Sequence, residues 1–290
     1  MAHHVQPLPT NNLNGIRYYD DGPAITSGQP YLLLHGLGNS LNFWTAVAPT
    51  LAEKSRTVAI DIPGFGQSEQ PADGFTLQNI SRDVLAFLDN LEIGPCILVA
   101  HSLGGTVALR LASLKPELVS RIVLVDAMVL TANTVLQRPS QAMVTPALSL
   151  NLGFQFAGGV LPIQRRVAKL ISATPLSRSA TLWPFLYSPK DVDPKLLEIA
   201  LSNNGGVAVV HTLCQARSVH LSDLMSDVSQ TVDLVWGARD RLLRREDLIA
   251  TRRLLTIDRE LAIPACGHWP MIETPEILSK FILGAQYDAA

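Results

Sequence analysis

The chain has 290 residues with a formal net charge of −2, and 47% of its residues are hydrophobic. That length can bury a large core and permits one large domain or a domain with an insertion. The near-neutral balance carries no basic stripe with interleaved aromatics, which argues against nucleic acid as a partner. Cys96, Cys214 and Cys266 are odd in number and widely spaced. They argue against a disulfide framework or a zinc site and fit a reducing, cytoplasmic compartment.

Residues 1–7, with His3 and His4, lack the basic segment and apolar core of a secretory signal and read as a disordered polar start. Residues 13–19 read as a first hairpin strand, turned at 20–23. Residues 31–34 form a buried strand that ends in His35-Gly36-Leu37-Gly38. A glycine there lets the backbone itself approach a reacting group, and His35 reads as a brace for the loop. An amphipathic helix is expected over 43–51 and a strand over 57–60. The run Asp61-Ile62-Pro63-Gly64-Phe65-Gly66-Gln67-Ser68 follows, a turn whose aspartate satisfies backbone donors. Thr76 is placed to cap a helix running to about Leu91, with Ile80, Val84, Phe87 and Leu88 on its buried face.

Residues 97–99 are a short apolar run of the kind a sheet covered on both faces uses. They lead into Ala100-His101-Ser102-Leu103-Gly104-Gly105, after which apolar residues recur at helical spacing. A turn this tight between strand and helix brings backbone close on both sides, so the positions two before and two after Ser102 must be small. Here the chain resembles the α/β-hydrolase family, whose nucleophile elbow is written G-x-S-x-G, with Ala100 standing where the family has its first glycine. The run from Asp61 to Ser68 resembles the same family's D-x-P-G-x-G-x-S turn. With a further strand over 121–126 the order is βαβαβαβ, which implies a mostly parallel sheet with helices on both faces.

Residues 128–204 break the alternation, and the resemblance makes them an inserted helical cap over a core of 1–127 and 205–290. Between Ala127 and Pro189 there is no Asp or Glu, against Arg138, Arg165, Arg166, Lys169 and Arg178. A helix over 161–173 would bury Val167, Leu170 and Ile171 and leave Arg165, Arg166 and Lys169 solvated. Two readings stand: a lid lining a hydrophobic pocket, and an interfacial surface that meets anionic lipid or an acidic carrier. The uncharged stretch 139–164 is interrupted by proline and glycine and makes a poor membrane span. Beyond the cap, helices are expected over 206–219, 245–255 and 275–283, and strands over 232–236 and near 260–263.

A serine hydroxyl needs a base within reach and a third group to orient that base. Asp240 follows the strand ending in Trp236, and His268 follows the last strand. The order Ser102, Asp240, His268 is that of the α/β-hydrolases. The resemblance also assigns the backbone N–H groups of Leu37 and Leu103 to an oxyanion hole. Asp126, after the sixth strand, is a rival for the acid, and Trp269 and His101 are candidates to line the substrate pocket. The implied activity is hydrolysis of carboxylic esters of apolar, short to medium groups through an acyl-enzyme, with no metal and no organic cofactor. Trp269, directly after the histidine, resembles carbon–carbon bond hydrolases. A carbon–carbon or lactone hydrolase is thus one alternative, and a ligand receptor with little turnover another.

Overall fold

A computed structural model of the chain describes residues 5–22, 28–127, 130–137 and 162–284, with the single positions 140, 149 and 153. His3, His4, Arg138 and most of the uncharged stretch 139–164 lie outside the described residues. In chain order the strands are β1 (Asn11–Leu13), β2 (Ile16–Asp20), β3 (Tyr31–Leu34), β4 (Thr57–Ile60), β5 (Cys96–His101), β6 (Val119–Val125), β7 (Val232–Gly237) and β8 (Ile257–Ile263). Helices α1 (Ala48–Ala52), α2 (Leu77–Asn90) and α3 (Leu103–Leu114) separate the strands from β3 to β6. Helices α4 (Leu130–Gln137), α5 (Arg165–Ser172), α6 (Pro175–Leu182), α7 (Pro194–Leu201), α8 (Val207–Gln215) and α9 (Leu221–Ser226) lie between β6 and β7. Helix α10 (Arg245–Leu254) precedes β8, and α11 (Pro270–Glu273) and α12 (Pro275–Ile282) follow it.

The strands form one sheet in the order β1-β2-β4-β3-β5-β6-β7-β8. The β1–β2 and β2–β4 pairs are antiparallel and every other pair is parallel. Because alternate strand residues face opposite sides, the sheet sorts its own core. Leu32, Leu34, Val58, Ile60, Leu98 and Leu124 pack with residues of α2 and α3. Leu33, Ala59, Val99, Val123 and Val235 pack with Phe43, Trp44, Leu278 and Phe281. Each fully buried Leu, Val or Phe contributes about 1.5–3 kcal/mol, so the sheet is the rigid platform on which the loops at its carboxyl edge are held.

The Thr76 cap forms as expected, its side chain accepting from the Asn79 N–H, and Ile80, Val84, Phe87 and Leu88 are buried. Elsewhere the structure departs from the sequence expectation. The first strand is a hairpin, β1 and β2, folded at Asn14 and Gly15, whose φ values of 51° and 80° are those of a tight hairpin turn. The helix expected over 43–51 is a 3₁₀ turn at Leu41–Trp44 followed by α1. Pro49 sits in the first turn of α1, where its missing N–H costs nothing, rather than in the interior of a longer helix. The last strand begins at Ile257, earlier than expected.

Helix α5 also differs. It buries Ala168 and Ser172 and leaves Val167 and Leu170 exposed, by 45% and 70%. The basic residues Arg165, Arg166 and Lys169 are exposed as expected. Arg178 is buried instead, its guanidinium donating to the carbonyls of Ser172, Pro189 and Lys190. No helix among the described residues is long and apolar enough to cross a membrane.

Candidate functional site

Ser102 stands between the last residue of β5 and the first of α3, with φ 50° and ψ −117°. For a residue other than glycine that conformation costs on the order of 1–3 kcal/mol and persists only when its surroundings over-determine it. They do so here. The Ser102 N–H donates to the Val125 carbonyl at 3.1 Å, and the Gly105 N–H closes the first turn onto the Ser102 carbonyl at 3.0 Å. A Cβ on Gly104 would stand 2.6 Å from the Leu34 carbonyl oxygen and 2.7 Å from that of His35. Only glycine fits there. Ala100, on the other side, is buried in the sheet opposite Leu34 and Leu124, and its methyl group is accommodated.

The loop after β3 lies against this turn. A Cβ on Gly36 would meet His101 Nδ1 at 2.7 Å and Ser102 Cβ at 3.2 Å. His35 is buried and braces the loop, accepting from the Ile62 N–H at Nε2 (3.0 Å), which leaves Nδ1 to donate to the Gly36 carbonyl (2.8 Å). Asp61 acts as the turn's anchor: its carboxylate accepts from the Leu41 and Gln67 N–H groups and pairs with Arg17 at 3.1 Å. Leu103 opens α3, where the first backbone N–H groups have no acceptor within the helix. The Leu37 and Leu103 segments line one cavity together with Ser102.

His268 and Asp240, on the loops after β8 and β7, meet at 2.7 Å between Nδ1 and Oδ2, both side chains almost wholly buried. Burial opposes ionisation of Asp240. The positive charge that His268 can carry and its hydrogen bond, with those from Asp126 and the Leu242 N–H, overcome that opposition and hold the carboxyl below its ordinary value. The carboxylate therefore accepts a hydrogen bond from the His268 Nδ1–H, which fixes the ring's orientation. Asp126, the rival acid, is held against the same pair: donor atoms of Asp126, Asp240 and His268 lie within 4.8 Å of one another. Burial first, and then the charge of Asp240, push the Asp126 carboxyl well above its usual value. Of the two carboxyls it is the one that holds a proton more readily, toward Asp240, and its carboxyl also accepts from the Gly237 N–H at 3.0 Å.

The raised value of Asp126 has a definite sign in stability. The unfolded chain releases this proton near the ordinary carboxylate value of 3.8, whereas the folded chain holds it to higher pH. The contribution is therefore fully present below 3.8 and falls as pH rises through the folded value. Asp126→Asn keeps a donor to Asp240 and an acceptor for Gly237 without that slope. Its melting temperature is expected to exceed the wild type's by a margin that widens from pH 4 upward and vanishes at lower pH. Asp126→Leu, which orphans the Gly237 N–H, is expected to lose about 1–3 kcal/mol. Thermal melts of both variants across pH test this pair of outcomes.

Ser102, His101, His268 and Trp269 line a cavity of about 690 Å³ that reaches Val167 of α5, Leu182 of α6 and Phe185. Ser102 and Leu37 also line a second cavity, of about 140 Å³. Trp269 stacks on Phe185 at 4.7 Å between ring centroids and meets Phe43 edge-on at 5.0 Å. His101, a candidate pocket residue in the sequence, borders the larger cavity, and its ring lies 4.9 Å from that of His268. His101 Nε2 donates to the His268 carbonyl at 2.9 Å. Burial and the neighbouring His268 keep its pKa well below the usual value, so it is neutral.

Sequence reasoning missed the groups that hold the His268 loop. Phe185, in the segment after α6, accepts the His268 N–H through its carbonyl at 2.6 Å. Glu273, half-buried, accepts from the Gly267, Tyr187 and Ser188 N–H groups at 2.6 to 3.0 Å. Arg241 donates to the carbonyls of Trp183 and Leu186. Apart from the contact between Gly267 and Glu273, six residues apart, these ties join residues far apart in the chain, and no local spacing announces them.

The sequence profile of the alpha/beta hydrolase fold matches residues 30–275. Among characterised proteins the chain is 29% identical, over 92% of its length, to the dihydrolipoyllysine-residue acetyltransferase component of the acetoin cleaving system of Pseudomonas putida. It is 41% identical, over 35% of its length, to 2-hydroxymuconate semialdehyde hydrolase of a Pseudomonas strain. These matches span 65% and 37% of the relatives' own lengths. Among solved structures, a meta-cleavage product hydrolase of Pseudomonas fluorescens superposes with a TM-score of 0.64 over 92% of each chain, at 17% identity. Sheet order, elbow and profile agree: the chain belongs to the α/β-hydrolase fold family.

Proposed function

We propose that this chain is a serine hydrolase that cleaves carboxylic esters of apolar, short to medium acyl or alkyl groups by two-step acyl transfer, with residues 128–204 serving as its cap. The observation that carries the reading is the buried 2.7 Å pair of His268 and Asp240 facing the same cavity as a serine held at φ 50°. A serine at its free pKa is a weak nucleophile, and this arrangement supplies the base and the group that orients it.

In the first step His268 Nε2 takes the hydroxyl proton of Ser102 while Oγ forms a bond to the ester carbonyl carbon. The carbonyl oxygen becomes an anion between the N–H groups of Leu37 and Leu103, donors fixed in place before the charge develops. Asp240 holds the imidazole tautomer and steadies its positive charge. The imidazolium returns the proton to the leaving oxygen as the carbon–oxygen bond breaks. Water, deprotonated by the same nitrogen, then attacks the acyl-serine, and the imidazolium returns that proton to Ser102 Oγ as the bond to the acyl carbon breaks and the acid leaves.

A panel of 4-nitrophenyl esters of increasing chain length tests the reading, which expects a burst of nitrophenolate followed by steady turnover. Absence of both would favour a receptor that binds without turnover. The 2-hydroxymuconate semialdehyde hydrolase relative and the position of Trp269 support carbon–carbon cleavage as the second reading. Preference for ring-fission dienones over every ester would establish it.

A further inference from the structure

The two cavities that meet at Ser102 are unlike in size and in walls. The smaller, about 140 Å³, is lined mainly by apolar residues of α2, α3, α4 and α8, among them Ile80, Val107, Leu136 and Leu213, with Phe65 and Phe75, and its polar walls are Thr106, Asn133, Thr212 and Gln215. The larger, about 690 Å³, is lined by His268 and Trp269, by cap residues and by the amides of Asn39, Gln164 and Asn204. Leu37 borders both, while His268 borders only the larger among the lining residues.

The chemistry assigns a direction to this asymmetry. Four groups surround the tetrahedral carbon: Ser102 Oγ, the oxyanion, the leaving oxygen and the acyl chain. The base that took the proton from Oγ must also reach the leaving oxygen to return it, so the alcohol portion occupies the side that His268 borders. The acyl chain is left the other side. Resting on the serine hydrolase reading above, we propose that the small apolar cavity holds the acyl chain and the large one under the cap holds the alcohol. The substrate class is then an ester of a short apolar acid with a larger alcohol that bears hydrogen-bonding groups.

The volume sets the limit. An apolar cavity of about 150 Å³ takes one benzene ring, six carbon atoms, so the small cavity fills at a chain of about that size. Up to that point each added methylene is expected to raise kcat/KM about fourfold, the equivalent of about 0.8 kcal/mol for its burial. A longer chain exceeds the volume of this cavity.

The test is a pair of substrate series on the full chain. One varies the acyl group from acetyl to decanoyl on a fixed 4-nitrophenyl leaving group. The other varies the alcohol from methyl to naphthylmethyl on a fixed butanoyl group. The proposal expects kcat/KM to peak near six acyl carbons and fall at least tenfold by ten, while bulky alcohols are accepted. Leu213→Phe, which fills the small cavity, should move the acyl peak to shorter chains and keep the order of the alcohol series. Val167→Trp, at a half-exposed position that borders the large cavity, should lower turnover of the bulky alcohols and keep the order of the acyl series. The reverse pattern, with Leu213→Phe discriminating among alcohols and Val167→Trp among acyl chains, overturns the assignment while leaving the hydrolase reading intact. Absence of turnover with every ester of both series overturns the reading on which it rests.

Discussion

Ser102→Ala is expected to lower kcat by about 10⁴ to 10⁶ while the protein melts within a degree or so of the wild type. The size of the loss follows from the proposed mechanism. Without Oγ neither the proton transfer to His268 nor the acyl-enzyme exists, and what remains is binding together with the oxyanion donors. The unchanged melt follows from the turn. The elbow is held by the backbone contacts of Ser102 with Val125 and Gly105 and by the absence of a Cβ at Gly104, none of which involves the hydroxyl. Steady-state kinetics on 4-nitrophenyl butanoate beside a thermal melt reads both quantities. A variant that retained a tenth of wild-type kcat would remove Ser102 from the nucleophile's role.

Gly237→Ala is the substitution with the largest expected effect away from the nucleophile. A Cβ on Gly237 would stand 2.0 Å from the Gly267 carbonyl oxygen and 2.4 Å from that of Cys266. Those carbonyls are backbone of the loop that carries His268, and Gly237 ends the strand that leads to Asp240. The Asp240 N–H bonds to the Gly237 carbonyl, and the Arg239 N–H to that of Cys266. Relief of the overlap therefore has to part the two loops and lengthen the 2.7 Å contact between His268 and Asp240. Overpacking of a flexible side chain costs about 1–3 kcal/mol, and here both obstacles are backbone, so a cost above about 3 kcal/mol is expected. For a chain of this size that is a fall in melting temperature of about 6 °C or more. Misplacing catalytic groups by about 1 Å costs on the order of 10²-fold in rate, so kcat should fall by at least that much. An alanine variant with wild-type melting and kcat would show that the two loops do not depend on this close approach.

Much of the fold is legible in the residues because the sheet is buried on both faces and its strands are short apolar runs punctuated by glycine, proline and aspartate. Ser102 is legible because a strand that stops at a serine between small residues has few other uses. Asp240 and His268 follow from chain order, and the structure brings them together. The hairpin at Asn14 and Gly15 was equally readable, since that dipeptide is the strongest short-range hairpin signal, but its two strands are too short to show alternation. Helix α5 is different in kind. Its apolar residues 167, 170 and 171 invite burial, yet the helix packs through Ala168 and Ser172, small enough for a neighbouring helix to come close. Val167 and Ile171 are thereby left to border the large cavity. Which face of a short helix is buried depends on its neighbour's shape, and periodicity does not contain that shape. Glu273, Phe185 and Arg241 are illegible for the same reason, since each serves a backbone group brought near only by the finished fold.

Whether Ser102 is an activated nucleophile is read out by a fluorophosphonate probe, which reacts only with such a hydroxyl. Incubation of the intact chain with the probe, followed by proteolysis and mass spectrometry, is expected to place a single phosphonyl adduct on the peptide containing Ser102. The adduct should be absent in Ser102→Ala and strongly slowed in His268→Ala. An unlabelled Ser102 in protein that melts cooperatively, or an equal rate of labelling in the His268 variant, would contradict the account.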